Sequence, residues 1–343
     1  YEKAEGIIRG NETILTASGD YLPDLAFCYY CQGKMNEAVQ VLGIALSQNP
    51  PDPGCLRLLG HIDCVIGNYR EAEASYRRLL ESDQDEFDKL DDRFWLGQLY
   101  LLQGKYRSCL KEIQAGLDIV REQGFSYEES TFLIFESYLY RLQKNFAKAY
   151  EMAFLARRKA AAVRYRDNEL KALHLMGLCQ VEQGELLESQ KTLSAMRELV
   201  EKLGFPKLMR SCYHLEGMIA MARRSMGEAV ASFSEAVGLL SHQNSVYDTH
   251  AFYLESLASA LYQSGDLGSA RAQYEKVVSL TTGFLTHGDA YVRSLFQLGR
   301  IYQEMNDLEK AREFLKRYLA VRGEADAGLS EVEEARSRLA SIS

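Results

Sequence analysis

His174 and His214 stand 40 residues apart, and an imidazole pair at fixed spacing invites metal or acid–base chemistry. A zinc site needs further ligands to complete its tetrahedron. Only Glu182 and Glu216 are near this pair in sequence, so two polar residues on one surface is the reading preferred to a metal. Cys28 and Cys31 form a C-x2-C, with Cys55 and Cys64 further on. Zinc ligands usually come from loops or knuckles, whereas these cysteines fall in helical pattern without a second C-x2-C, which makes them core residues. The acidic run Glu81, Asp83, Asp85, Glu86, Asp88, Asp91, Asp92 fails as a calcium loop starting at Asp83. Its glycine place holds Asp88 and its closing glutamate place holds Phe94. It reads as a solvated turn whose last acids favour the next helix N-terminus. The basic group Arg157, Arg158, Lys159, Arg164 and Arg166 reads as a solvated helix end, with an acidic partner as the alternative. There is no phosphate loop, no G-x-G-x-x-G after a strand, no H-E-x-x-H and no G-x-S-x-G. No catalytic residue, metal or cofactor is expected, and the chain is read as no enzyme.

The elements that would position these residues are long helices. Of 343 residues 47% are apolar, enough for a continuous core, and only five are proline. Three of those, Pro50, Pro51 and Pro53, share one turn. A net charge of −8 disfavours nucleic acid, which wants a basic face. No apolar stretch reaches the roughly 18 residues of a membrane span. Seven scattered cysteines suit a reducing compartment, so the cytoplasm is expected.

A turn marker followed five places later by a small residue recurs eight times. Glycine leads at Gly33 with Ala38, Gly67 with Ala72, Gly104 with Cys109, Gly184 with Ser189 and Gly265 with Ala270. Lys144 with Ala149, Arg224 with Ala229 and Asn306 with Ala311 fill the same places. Seven residues before each marker stands another small residue: Ala26, Gly60, Gly97, Ser137, Gly177, Gly217, Ala258, Gly299. Antiparallel helices approach closely only where both carry small side chains at the crossing. Glycine ends the first helix because it accepts the left-handed conformation cheaply. A larger residue four places after the second small one (Leu42, Tyr76, Ile113, Leu193, Phe233, Tyr274, Leu315, with Ala153 as the exception) fills the space to the next pair. Such pairs cannot bury their apolar faces alone and must stack.

These residues resemble the tetratricopeptide repeat family. The best local matches are Leu96-Gly97 with Tyr100, Leu298-Gly299 with Tyr302, and Asn68-Tyr69-Arg70-Glu71-Ala72. Leu25, Tyr29, Ala38, Ala45 and Pro50 follow the pattern in the first repeat. The resemblance implies an all-α, right-handed superhelical solenoid of eight tandem helix-turn-helix repeats over residues 19–325. A remnant of a preceding helix and linker fills 1–18, and a capping helix 326–343. Opening on Tyr1, the chain is expected to be a fragment of a longer protein. The marker spacings are 34, 37, 40, 40, 40, 41 and 41, so two short steps lead into five long ones. The C-terminal repeats, with YEKVVSLTTG and GDAYVRSLFQLGRIY, are also similar to repeat segments of large bacterial signalling proteins, which implies an output domain upstream.

In this family ligands lie in the concave groove formed by the first helix of each repeat. That places Arg57, His61, Phe94, Trp95, Gln98, Phe135, Tyr138, Arg141, His174 and His214 on the binding face, with Ile134, Leu178, Met218 and Met221 beside them. Packing inside an inward-curled superhelix is the alternative for some of them. Aromatic and arginine anchors dominate interfaces, so Trp95, Tyr138 and Arg141 head the candidates. The family's carboxylate clamp is absent, since its places hold Pro23, Phe27, His61, Asp91 and Trp95. The expected partner is therefore a peptide or helix with an apolar or amphipathic segment, and the expected role a sensor or adaptor within a larger regulatory protein. The alternatives are an enzyme or a signalling-peptide receptor whose output domain lies outside this chain, the receptor being favoured if the groove closes into a pocket.

Overall fold

All eight turn markers adopt the left-handed conformation, from φ +59° at Lys144 to +88° at Gly67 and Gly265. Three of them, Lys144, Arg224 and Asn306, carry side chains there. The computed structural model describes residues 1–10, 21–47, 52–82, 85–241 and 248–342. Pro50, Pro51, Asp83 and most of the expected linker before residue 19 lie outside the described residues.

A first helix, α1 (Glu2–Gly10), packs on α2 and is tied to it through Glu5, which accepts from Gln32 and Lys34, each at 3.0 Å. The eight pairs follow. α2 (Leu22–Cys31) pairs with α3 (Met35–Leu46), and α4 (Pro53–Ile66) with α5 (Tyr69–Glu81). α6 (Glu86–Gln103) pairs with α7 (Tyr106–Gln123), and α8 (Ser126–Leu142) with α9 (Phe146–Ala162). α10 (Arg166–Glu182) pairs with α11 (Leu186–Leu203), and α12 (Met209–Ala222) with α13 (Met226–Gly238). α14 (His250–Gln263) pairs with α15 (Leu267–Val278), and α16 (Gly288–Glu304) with α17 (Leu308–Arg322). α18 (Ser330–Ser341) then lies on α17, burying Val332 and Ala335. No strand occurs among the described residues, and no helix there is long and apolar enough to cross a membrane.

The small residues do what their spacing predicts. Ala26, Ala38, Ala72, Cys109, Ala149, Ala229, Ala258, Ala270 and Ala311 are completely buried. A Cβ on Gly217 would come within 2.6 Å of the Phe233 ring, so the aromatic residue occupies the volume a side chain would need. Where the small residue is serine, its hydroxyl donates across the crossing: Ser137 to the Ala149 carbonyl at 2.8 Å, Ser189 to that of Gly177 at 3.1 Å.

The solenoid curls until its eighth repeat meets its third, with α16 and α17 packed against α6. Two helix ends are capped across this junction. Arg322, 3% exposed, donates from Nε to the Leu102 carbonyl at 2.9 Å and from Nη2 to that of Leu101 at 3.4 Å. These are last-turn carbonyls of α6 at its negative end, where a guanidinium is stabilising, and that of Leu101 also accepts from the Gly104 N–H at 3.0 Å. Asp326 accepts from the backbone N–H of Arg107 at 2.9 Å, capping the first turn of α7, while its own N–H donates to the Gly104 carbonyl at 3.1 Å. Gly104 is needed twice here. It holds a left-handed turn, and a Cβ on it would lie about 3 Å from Leu329, Ala325 and Arg322.

Candidate functional cavity

The concave side of the curl holds a half-open cavity of about 770 Å³. Its wall comes from one register of successive first helices. Phe94 and Gln98 of α6, Ile134 and Tyr138 of α8, and His174 of α10 are separated by 4 or by 40 residues, so i, i+4 geometry and the repeat period align them. Phe135, Phe252, Tyr253 and His287 complete the aromatic wall, and Arg57 lies at one edge.

Tyr138 joins this wall to the closure. Its hydroxyl donates to Asp289 at 2.8 and 3.0 Å. Asp289, 1% exposed, also pairs with Arg293, which bridges to Glu255 at 3.2 Å. Burial alone would raise the Asp289 carboxyl. The Arg293 charge, followed by His287 and the Tyr138 hydroxyl, outweighs it and holds the group below the usual carboxylate range.

The two histidines singled out by spacing touch each other. His174 Nε2 lies 2.9 Å from His214 Nδ1, and His214 Nε2 lies 2.9 Å from Ser256 Oγ. Ser256 donates its hydroxyl to the Phe252 carbonyl at 2.9 Å, which settles the order of protons. His214 must then donate from Nε2 and accept at Nδ1, and His174 must donate from Nε2. The facing nitrogens are donor and acceptor to one another rather than a pair of lone pairs aimed at an ion. No group of three or more His, Cys, Asp or Glu among the described residues has metal-holding geometry. Burial above all pushes His174 down to about 3 and His214 well below its ordinary value, so both are neutral.

Of the ten residues expected on the binding face, Arg57, Phe94, Gln98, Phe135, Tyr138 and His174 line the cavity. Ile134 lines it as well. The other four do not, and each for a packing reason. Trp95 is 1% exposed, with the His61 ring 4.4 Å from its own. His61 is itself buried, its Nδ1 2.7 Å from the Tyr76 hydroxyl. Arg141 pairs with Glu182 at 2.8 Å and lies over the Tyr138 ring. His214 is covered by Phe252, ring centroids 4.5 Å apart. Leu178 is fully buried, and Met218 and Met221 pack partly buried against core residues. Trp95, His61, His214 and Leu178 are thus buried in the interior, while Arg141, Met218 and Met221 are half-buried. Arg57, though on the wall, is engaged by Asp92 at 2.7 Å and Asp91 at 3.3 Å.

Asp289, Arg293, Arg322, Phe252 and His287 were not singled out by sequence. They reach the site only because the chain curls through five repeats, and nothing local marks them. The sequence does carry one local signal near the cavity. Gly124-Phe125, Arg164-Tyr165, Gly204-Phe205 and Gly283-Phe284 each place an aromatic residue directly after a left-handed inter-repeat turn.

Residues 248–324 match the tetratricopeptide repeat family model. No curated protein matches the chain. Among solved structures, a tetratricopeptide repeat protein from Parabacteroides merdae ATCC 43184 is 16% identical, with a TM-score of 0.45 over 84% of this chain and 97% of that one. The apo form of RapI is 12% identical, with a TM-score of 0.58 over 75% of this chain and 95% of that one. The latter likeness is one of fold.

Proposed function

We propose that this array of tetratricopeptide repeats is a receptor scaffold that encloses a short extended peptide, as the sensing segment of a regulatory protein. The observation that carries the reading is the aromatic cavity of about 770 Å³ formed where the solenoid closes on itself. Stacked repeats bind through their concave surface, and here that surface is a pocket. The output would come through the closure, because Tyr138 belongs both to the wall and to the Asp289–Arg293–Glu255 network. The seven free cysteines suit a reducing compartment such as the cytoplasm.

The test is selection of a displayed random heptapeptide library on the wild-type chain and on Ile134→Trp, which places a bulky ring on the cavity wall. Peptides that bind the first at least tenfold better than the second support the reading. Selected peptides that bind both equally, or no selected peptide, defeat it.

A further inference from the structure

The histidine relay leaves one hydrogen-bonding atom over. Ser256 donates to the Phe252 carbonyl, His214 to Ser256 and His174 to His214, so His174 gives its N–H from Nε2. The ring is neutral, and Nδ1 therefore carries a lone pair that can only accept. No described group donates to that nitrogen, and it is not sealed inside the protein. His174 is 8% exposed and lines the cavity.

Asn168 repeats the situation six residues earlier on α10. Its Nδ2 donates across to α8, to Ser130 Oγ and Thr131 Oγ1, each at 2.9 Å. Because the Ser130 hydroxyl donates to the Tyr127 carbonyl at 2.9 Å, it can receive only an N–H from Asn168, which fixes the orientation of the amide. Oδ1 is thus without a donor among the described residues, and it too is not sealed. Asn168 is 2% exposed and lines the same cavity.

Buried polar groups ordinarily find partners, and others on this wall do. The Thr286 hydroxyl donates to the Asp248 carbonyl at 3.0 Å, and the Ser211 and Tyr253 hydroxyls lie 3.0 Å apart. Six residues of helix rise about 9 Å, a span that three residues of extended chain cover at about 3.3 Å each. An occupant that displaces water from these two acceptors has to supply donors or leave both unmet, which is costly. The amides of a peptide supply donors whatever its side chains, and the surrounding rings of Phe94, Tyr138 and Phe252 suit apolar ones.

We infer that His174 Nδ1 and Asn168 Oδ1 are the acceptor points of the cavity: an extended peptide lies along α10 and donates one backbone N–H to each. The relay through His214 and Ser256 then has a positioning task, since it holds the His174 ring in the tautomer whose lone pair faces the ligand. This rests on the peptide reading of the cavity and names the backbone contacts that hold the peptide there.

The experiment takes heptapeptides from the same selection that lose binding to Ile134→Trp. Each backbone amide is replaced in turn by an ester, which removes the N–H without adding bulk. At least two positions are expected to cost about tenfold each. Against His174→Phe the unmodified peptide should weaken by the same factor, and the ester at one of those positions should cost nothing further. Asn168→Ala should cancel the cost at another in the same way. A cooperative melt identifies the folded variants, and the ester scan itself uses the wild-type chain, so it decides even where a variant fails to fold. Fewer than two sensitive amides, or sensitive amides whose cost persists in the folded variants, overturn this inference and leave the receptor reading standing. A selection with no cavity-dependent peptide overturns both.

Discussion

The Tyr138 hydroxyl and the Asp289 carboxylate, 151 residues apart, lie 2.8 Å from each other and join the fourth repeat to the eighth. Tyr138→Phe removes the hydroxyl donor from a fully buried carboxylate. A loss of about 1–2 kcal/mol is expected, read as a lower urea midpoint with an unchanged slope. The same carboxyl is held below its ordinary value, so its contribution is present above the unfolded value of about 4 and is lost as pH falls below it. In Asp289→Asn that part of the acid dependence should be gone. An identical acid-unfolding curve for variant and wild type would refute the assignment.

Arg322 should matter more than its place near the end of the last repeat suggests. Arg322→Ala leaves the Leu102 carbonyl without its donor, takes one of two donors from that of Leu101 and removes a buried guanidinium, at a cost of about 2–4 kcal/mol. The effect should be polar along the chain. Amide exchange is expected to quicken in 99–107 and 285–326, while 130–200 keeps its protection. Uniform loss of protection would mean that the closure is no separate element.

Trp95→Ala separates a core role from a binding role. A ring 1% exposed, packed on His61 and Phe94, costs about 3–5 kcal/mol when truncated. As the only tryptophan, its fluorescence should be blue-shifted in the folded chain and move to the red on unfolding. Undiminished stability of the variant would contradict the core placement.

The buried histidines predict a second, milder pH dependence. Burial pushes His61 and His174 down to about 3 and His287 to about 4. The unfolded chain takes up protons near 6.5 that the folded chain refuses, so stability is full above that pH and declines as pH falls toward those lower values. At pH 5 each such histidine should remove up to about 2 kcal/mol. Comparing urea unfolding at pH 7 and pH 5 for the wild type and His174→Gln should show a flatter dependence in the variant. Equal slopes would place His174 in contact with water.

How far the sequence reached depends on the range of the forces involved. Turn markers, small crossing residues and capping belong to single helix pairs, so the eight repeats were legible from residue types at fixed offsets. The left-handed turns at Lys144, Arg224 and Asn306 followed from register even without glycine. What faces the cavity was only half legible. Phe94 and Trp95 are neighbours, yet Phe94 lines the cavity while Trp95 is sealed against His61. Their fates divide according to how each repeat rotates on the last, a small angle set by packing that no single repeat encodes. Summed over five repeats, those rotations bring Arg322 to Leu102 and Asp289 to Tyr138. By itself the sequence determined the repeats. Whether the last repeat swings back to meet the third was decided only by the tertiary structure, because that contact is the accumulated sum of many packing angles.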